Sequence, residues 1–158
     1  MMRDERIRRL PVALSALVAL TLAILPLPNA LAPFRPDFLV LVVLYWSIES
    51  PRAGGLTLAF FAGLALDVIQ GVVLGQHALA LTLMAAWATN LRLRIRVFSP
   101  VSQSLTIFAF LTGYQFILFW IDGATGNPVT SFGRWLAPVI GALIWPFTVR
   151  ALSRLHEH

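Results

Sequence analysis

Apolar segments alternate with short polar connections along the whole chain. A helix of about 20 apolar residues crosses the ~30 Å hydrocarbon layer of a bilayer, because each residue adds about 1.5 Å. The pattern therefore predicts an all-α polytopic membrane protein, built as one domain over residues 1–158. The predicted spans are residues 10–27, 36–49, 53–69, 72–91, 97–121 and 134–150.

The second of these segments is short for a crossing. Its apolar run, Phe38 to Ile48, is followed directly by Glu49, Ser50 and Pro51. A helix of a dozen residues covers only about 18 Å. Crossing would require extension back through Phe34, tilted neighbours or a thinner bilayer.

The distribution of arginine argues that this segment does cross. With six crossings, one side of the membrane carries ten arginines and the other carries only Arg35 and Arg134. Positively charged connections stay in the cytoplasm, so both termini are predicted to be cytoplasmic. Without the second crossing, the three arginines from Arg92 to Arg96 would lie outside. The ten arginines are Arg3, Arg6, Arg8, Arg9, Arg52, Arg92, Arg94, Arg96, Arg150 and Arg154.

The first segment has a second interpretation. A basic N-terminus before an apolar stretch is also typical of a cleaved signal peptide. The stretch is long for a signal peptide, and the sequence from Leu25 to Ala32 is a poor cleavage site. We favour a retained helix that ends at Pro26 and Pro28.

Composition agrees with a membrane protein. Hydrophobic residues make up 58% of the chain and charged residues 12%, whereas about a quarter of the residues of soluble domains are charged. The net charge of +5 would also suit nucleic acid, but the arginines bracket apolar helices. We therefore expect contact with anionic lipid head groups and no nucleic acid. Cysteine is absent, which excludes disulfides and thiolate metal sites.

Polar side chains near the ends of the spans are the candidates for chemistry, because such groups are costly in lipid. Gln115 is about two helical turns inward from Asp122 and could extend the same region. The group predicted near the outer face consists of Asp67, Gln70, Gln76, His77 and Asp122.

Three interpretations of this group remain open. Asp67 and His77 could be helix-end residues, with a solvated carboxylate and a tight reversal allowed by Gly71 and Gly75. Alternatively, Asp67, His77 and Gln115 could line an outward cavity that binds a small ligand or a partner's peptide. Catalysis or metal binding has the least support, since no second ligand or activated nucleophile accompanies the histidine. We therefore expect no catalytic residue, metal or cofactor.

Small residues point to close helix packing. Gly63 stands one turn before Asp67 in the third segment, so another helix can approach closely there. Ala19 and Ala23 form a similar pair in the first segment.

Several short motifs follow one another in a recognisable order. Arg35-Pro36-Asp37-Phe38 precedes an apolar run to Tyr45-Trp46. The later motifs are Gly63 to Val68, Gly71, Leu74 to Ala78, Tyr114 to Trp120 and Trp145-Pro146. In this succession the chain resembles the rod shape-determining protein MreD family. The resemblance covers nearly the whole length.

The resemblance implies a non-enzymatic, multi-pass protein of the bacterial inner membrane. It implies binding to the bitopic protein MreC, and coupling of MreB filaments to peptidoglycan synthesis in the elongation machinery. It also implies a six-helix bundle similar to the S components of energy-coupling factor transporters. The family's motif residues fall here on Pro36, Asp37, Gly63, Asp67, Gly71, Gly75 and His77.

Two functions therefore stand as expectations. The first is a scaffold that holds a partner through helix packing. The second is a small-molecule-binding membrane subunit of S-component type. For either function, the expected partner- or ligand-binding residues are Gly63, Asp67, Gly71, Gly75, His77 and Gln115.

Overall fold

The chain folds into α-helices in this computed structural model, which describes residues 2–24, 38–49, 55–71, 74–124 and 136–157. The described residues outside helices lie in turns, bends or short connections. Within these ranges, the expected all-helical fold with six helices is confirmed. The helices are α1 (Met2–Ile24), α2 (Phe38–Glu49), α3 (Leu56–Gln70), α4 (Gln76–Val97), α5 (Pro100–Ala124) and α6 (Leu136–Glu157).

Helices α2, α3 and α5 follow the predicted segments closely, whereas α4 continues past the predicted end at residue 91 to Val97 and the two terminal helices are longer. Helix α1 begins at Met2, and α6 continues past Pro146 to Glu157. Arginine and glutamate are good helix formers, so a helix does not have to end where its apolar run ends. Pro36 and Asp37 lie outside the described residues. The membrane crossings themselves stay a prediction.

Helix α2 is the centre of the bundle. All ten residues from Leu39 to Ile48 are buried, and the helix contacts α1, α3, α4 and α6. A helix enclosed on all sides needs no polar face, which is why this segment reads as an uninterrupted apolar run. The buried core to which α2 belongs also includes Ala59, Leu81, Met84, Ala85, Ile107, Leu111 and Trp145.

The outer faces of the other helices are strongly apolar. Phe61, Trp87, Val97 and Phe147 are each more than half exposed. Among the described residues, two helical stretches are long and apolar enough to cross a membrane, Pro100–Ala124 and Leu136–Arg154. Shorter apolar stretches cover Leu10–Leu22, Phe38–Glu49 and Leu56–Ile69. These exposed surfaces are suited to lipid or to another apolar helix.

The charged side chains that the structure describes lie at the two opposite ends of the bundle. Arg96 Nη2 lies 3.9 Å from Glu49 Oε2, so the C-termini of α2 and α4 share one end. Both side chains are partly exposed, and such a pair contributes less than about 1 kcal/mol. We call this the arginine end, defined by Arg92, Arg94, Arg96, Arg150 and Arg154. The opposite, aspartate end is defined by Asp67 and Asp122.

A polar contact also joins three helices at the arginine end. The Gln103 amide on α5 donates to the carbonyl of Ile95 on α4 at 3.0 Å. Its oxygen accepts from Trp145 Nε1 on α6 at 3.4 Å. These bonds occupy the polar atoms of Gln103 within the bundle and fix α6 against the turn between α4 and α5.

Candidate functional site at the aspartate end

The reversal between α3 and α4 depends on two glycines. Gly71 ends α3 with φ of +67°, and Gly75 precedes α4 with φ of +100°. Side chains other than glycine are strained in this left-handed region. The Gly71 N–H bonds to the carbonyl of Val68 at 3.3 Å, and thereby satisfies one of the last carbonyls of α3.

The carboxylate of Asp67 is completely buried beneath this turn. Its Oδ2 accepts from the Gly75 N–H at 2.8 Å and, over a longer 3.5 Å, from the Ala78 N–H. Its Oδ1 accepts from the His77 N–H at 2.8 Å. His77 Nδ1 lies 2.7 Å from the same oxygen. The helix-end interpretation is therefore wrong in one respect, because it assumed that this carboxylate is solvated.

Burial is tolerated because Asp67 caps the N-terminus of α4. The first N–H groups of a helix lack partners inside the helix and carry partial positive charge. A cap normally comes from the residue just before the helix, but Gly75 has no side chain to provide one. Asp67 supplies the missing acceptor from the preceding helix.

Gly63 allows the two helices to come this close. A Cβ atom at this position would lie 2.3 Å from Ala78 Cα and 2.5 Å from Ala78 N. These are backbone atoms, which cannot rotate away as the end of a side chain can. The sequence-based expectation that a helix approaches closely at Gly63 is thus correct, and that helix is the chain's own α4.

Helix α5 joins the same cluster through two contacts. Gln76 Nε2 donates to Asp122 Oδ1 at 2.7 Å. The ring centroids of His77 and Tyr114 lie 6.3 Å apart in a tilted arrangement. The aspartate end therefore ties α3, α4 and α5 together. Gln115 is buried on α5 next to Tyr114, and its role with Asp67 and His77 stays a prediction.

The main partners of Asp67 could not be predicted from the sequence because they are backbone groups. The N–H groups of Gly75, His77 and Ala78 carry no signal in the identity of the side chain. The one available signal was a carboxylate near the end of one helix, followed by glycine at the start of the next. Within the described residues, no group of three or more His, Cys, Asp or Glu side chains could hold a metal ion.

Comparison with known proteins shows the family to which this chain is related. The family described as rod shape-determining protein MreD matches residues 5–155, which is nearly the whole chain. The chain belongs to the MreD family. A curated relative from Haemophilus influenzae, named rod shape-determining protein MreD, is 29% identical over 144 residues, covering 89% of this chain and 86% of that protein. The resemblance noted in the sequence is thereby confirmed.

No solved structure matches the chain. The expected likeness to S components of energy-coupling factor transporters therefore stays a prediction. The family's description refers to cell shape and names no reaction.

Proposed function

We propose that the protein is a non-enzymatic, multi-pass scaffold of the bacterial inner membrane that serves the rod-shape, or elongation, machinery. In this role it binds a bitopic MreC-like protein and helps to couple MreB filaments to peptidoglycan synthesis. The observation that carries the proposal is the family match over residues 5–155.

The use of polar groups within the bundle supports a scaffold. The four contacts of the Asp67 carboxylate all come from residues 75–78 of its own chain. A site for a polar solute needs several convergent groups that are available to the ligand. Because Asp67 is already engaged, the structure favours the scaffold over the solute-binding subunit.

The outer faces supply surfaces on which a partner helix can pack. On α1, the exposed side chains Leu10, Leu14, Leu17 and Val18 recur at helical spacing. The opposite face packs inward, and its Ser15 hydroxyl accepts from Trp46 Nε1 of α2 at 2.8 Å. In lipid, helices associate by close packing of such surfaces rather than by hydrophobic burial from water.

The test is co-expression with the MreC-like protein of the same genome, followed by affinity capture and native mass spectrometry in mild detergent. We expect a stable complex. A protein that captures no MreC-like partner but retains a small molecule would contradict the scaffold and support the solute-binding alternative.

The natural absence of cysteine allows the partner-binding helix to be mapped. Single cysteines at the exposed positions Leu17, Phe61, Leu83 and Leu143 sample α1, α3, α4 and α6. Each is paired with one cysteine in the partner's membrane helix, and Ala85→Cys serves as the buried control. We expect disulfides from one face only. Equal crosslinking at all four exposed positions would indicate random collision.

A further inference from the structure

One face of α4 remains exposed along most of the helix. The exposed residues of this face, from Leu79 to Arg94, follow one another at intervals of four, four, three and four residues. This spacing keeps them on one side of an α-helix. The other side of α4 packs into the core through residues such as Leu81, Met84 and Ala88. We call the exposed face the α4 stripe; it consists of Leu79, Leu83, Trp87, Asn90 and Arg94.

The chemistry of the α4 stripe changes in a fixed order along the helix. Leu79 and Leu83 are apolar, Trp87 is a large aromatic that is 61% exposed, Asn90 is an amide and Arg94 is a cation. From Leu79 to Arg94 the rise is about 22 Å. A phospholipid presents matching groups in the same order: acyl chain, ester-bearing glycerol and phosphodiester.

We propose that the α4 stripe binds an anionic phospholipid. The acyl chains lie along Leu79 and Leu83, and Trp87 packs at the boundary between chain and head group, where tryptophan is favoured. The Asn90 amide donates to an ester carbonyl. The Arg94 guanidinium donates to the phosphodiester oxygens. The inference rests on the membrane placement proposed above.

Charge selects an anionic lipid over a zwitterionic one. At the arginine end the described side chains include five arginines, and the one acidic group among them is Glu49. Arg96 is the residue paired with Glu49. Among the described residues no ion pair is formed by Arg94, so its guanidinium is available to a phosphodiester.

A protein helix is a poorer fit to the same face. Such a partner would need an acidic group placed level with Arg94 and an apolar face above it. A lipid supplies both features by its structure, and it is present around every membrane helix.

The experiment compares lipid retention by matched variants. The protein is purified in mild detergent, supplied with equimolar phosphatidylglycerol and phosphatidylcholine, and examined by native mass spectrometry. Arg94→Gln is paired with Arg150→Gln, which removes an exposed arginine at the same end but on α6. Trp87→Leu is paired with Trp120→Leu, because Trp120 is 68% exposed on α5.

We expect the wild type to retain phosphatidylglycerol in preference to phosphatidylcholine. Arg94→Gln should weaken this retention about fivefold, the usual effect of one basic residue near an anionic surface. Trp87→Leu should weaken retention of both lipids. Arg150→Gln and Trp120→Leu should retain phosphatidylglycerol as the wild type does.

Three results would overturn the proposal. Equal losses from Arg94→Gln and Arg150→Gln would indicate an unspecific effect of charge. The face would be assigned to a protein helix if all variants retained lipid as the wild type does while Arg94→Gln or Trp87→Leu lost the MreC-like partner. Displacement of phosphatidylglycerol by inorganic phosphate would indicate that the site binds anions in general rather than a lipid. Failure of the protein to fractionate with membranes would instead refute the membrane placement.

Discussion

The substitution Gly63→Ala tests whether α3 and α4 are held together at the aspartate end. The added Cβ would meet Ala78 Cα at 2.3 Å, Ala78 N at 2.5 Å and the His77 carbonyl carbon at 2.8 Å. Carbon atoms in contact normally lie about 3.5–4.0 Å apart. The two helices must therefore separate by about 1 Å at this point, because no side chain can move aside.

That displacement has two consequences for stability. Overpacking of this kind costs about 1–3 kcal/mol. It also stretches the bonds from Asp67 Oδ1 and Oδ2 to the His77 and Gly75 N–H groups beyond hydrogen-bond length, with a further loss of about 1–3 kcal/mol. The better helix propensity of alanine returns about 0.5–1 kcal/mol. We expect a net destabilisation of about 2–4 kcal/mol.

Two other glycines provide matched controls. At Gly113 a Cβ meets only Met84 Sδ and Cε, at 3.6 and 3.7 Å, which is ordinary contact. At Gly141 it meets Leu111 Cδ1 at 2.5 Å, the end of a flexible side chain. Gly113→Ala should therefore be neutral or slightly stabilising, and Gly141→Ala should fall between it and Gly63→Ala.

The assay is unfolding in mixed micelles with increasing denaturing detergent, followed by circular dichroism. The midpoints should fall in the order Gly113→Ala, Gly141→Ala, Gly63→Ala, with the last at the lowest denaturant. If Gly63→Ala unfolds within about 0.5 kcal/mol of Gly113→Ala, the close approach of α3 and α4 described above is wrong, since overpacking of that kind costs about 1–3 kcal/mol.

Three further predictions concern the same ends of the bundle. Asp67→Ala should destabilise the protein by about 2–4 kcal/mol, because it leaves buried N–H groups without an acceptor; the same unfolding assay measures this, and a loss below 0.5 kcal/mol would contradict the capping role. Gly75→Ala should cost about 1–2 kcal/mol from backbone strain alone, since space there is open, and Gly123→Ala, equally open but without positive φ, should cost nothing measurable. A reporter fused after Arg96 should be active only in the cytoplasm; activity of a periplasmic reporter there would disprove the six-span topology.

The sequence was sufficient to predict the six helices. The predicted topology also placed most of the candidate residues at one end of the bundle. An apolar run marks a helix that is buried in the bundle or embedded in lipid. The helices could therefore be predicted from the apolar runs alone. The end of α2 at Glu49 and the C-terminus of α3 within a residue of the prediction both follow from this. The extensions of α4 to Val97 and of α6 to Glu157 were missed, because counting apolar residues finds the membrane segment rather than the whole helix.

The details of the aspartate end were beyond a single sequence for a different reason. Whether Asp67 faces water or caps α4 depends on the angle and distance between α3 and α4. That angle and distance depend in turn on the close packing of Gly63 against the backbone of Ala78. Each residue was visible in the sequence, but the relation between them arises only when the helices pack.

The enclosure of α2 has a consequence for how the protein is made. Its ten buried residues are translated before α3, α4 and α6, three of the four helices that contact α2. When α2 leaves the ribosome, α1 is the one helix among these four that has already been made. Completion of the core must therefore wait for the C-terminal half of the chain, and nascent chains that stop before α4 should be removed by membrane proteases rather than accumulate.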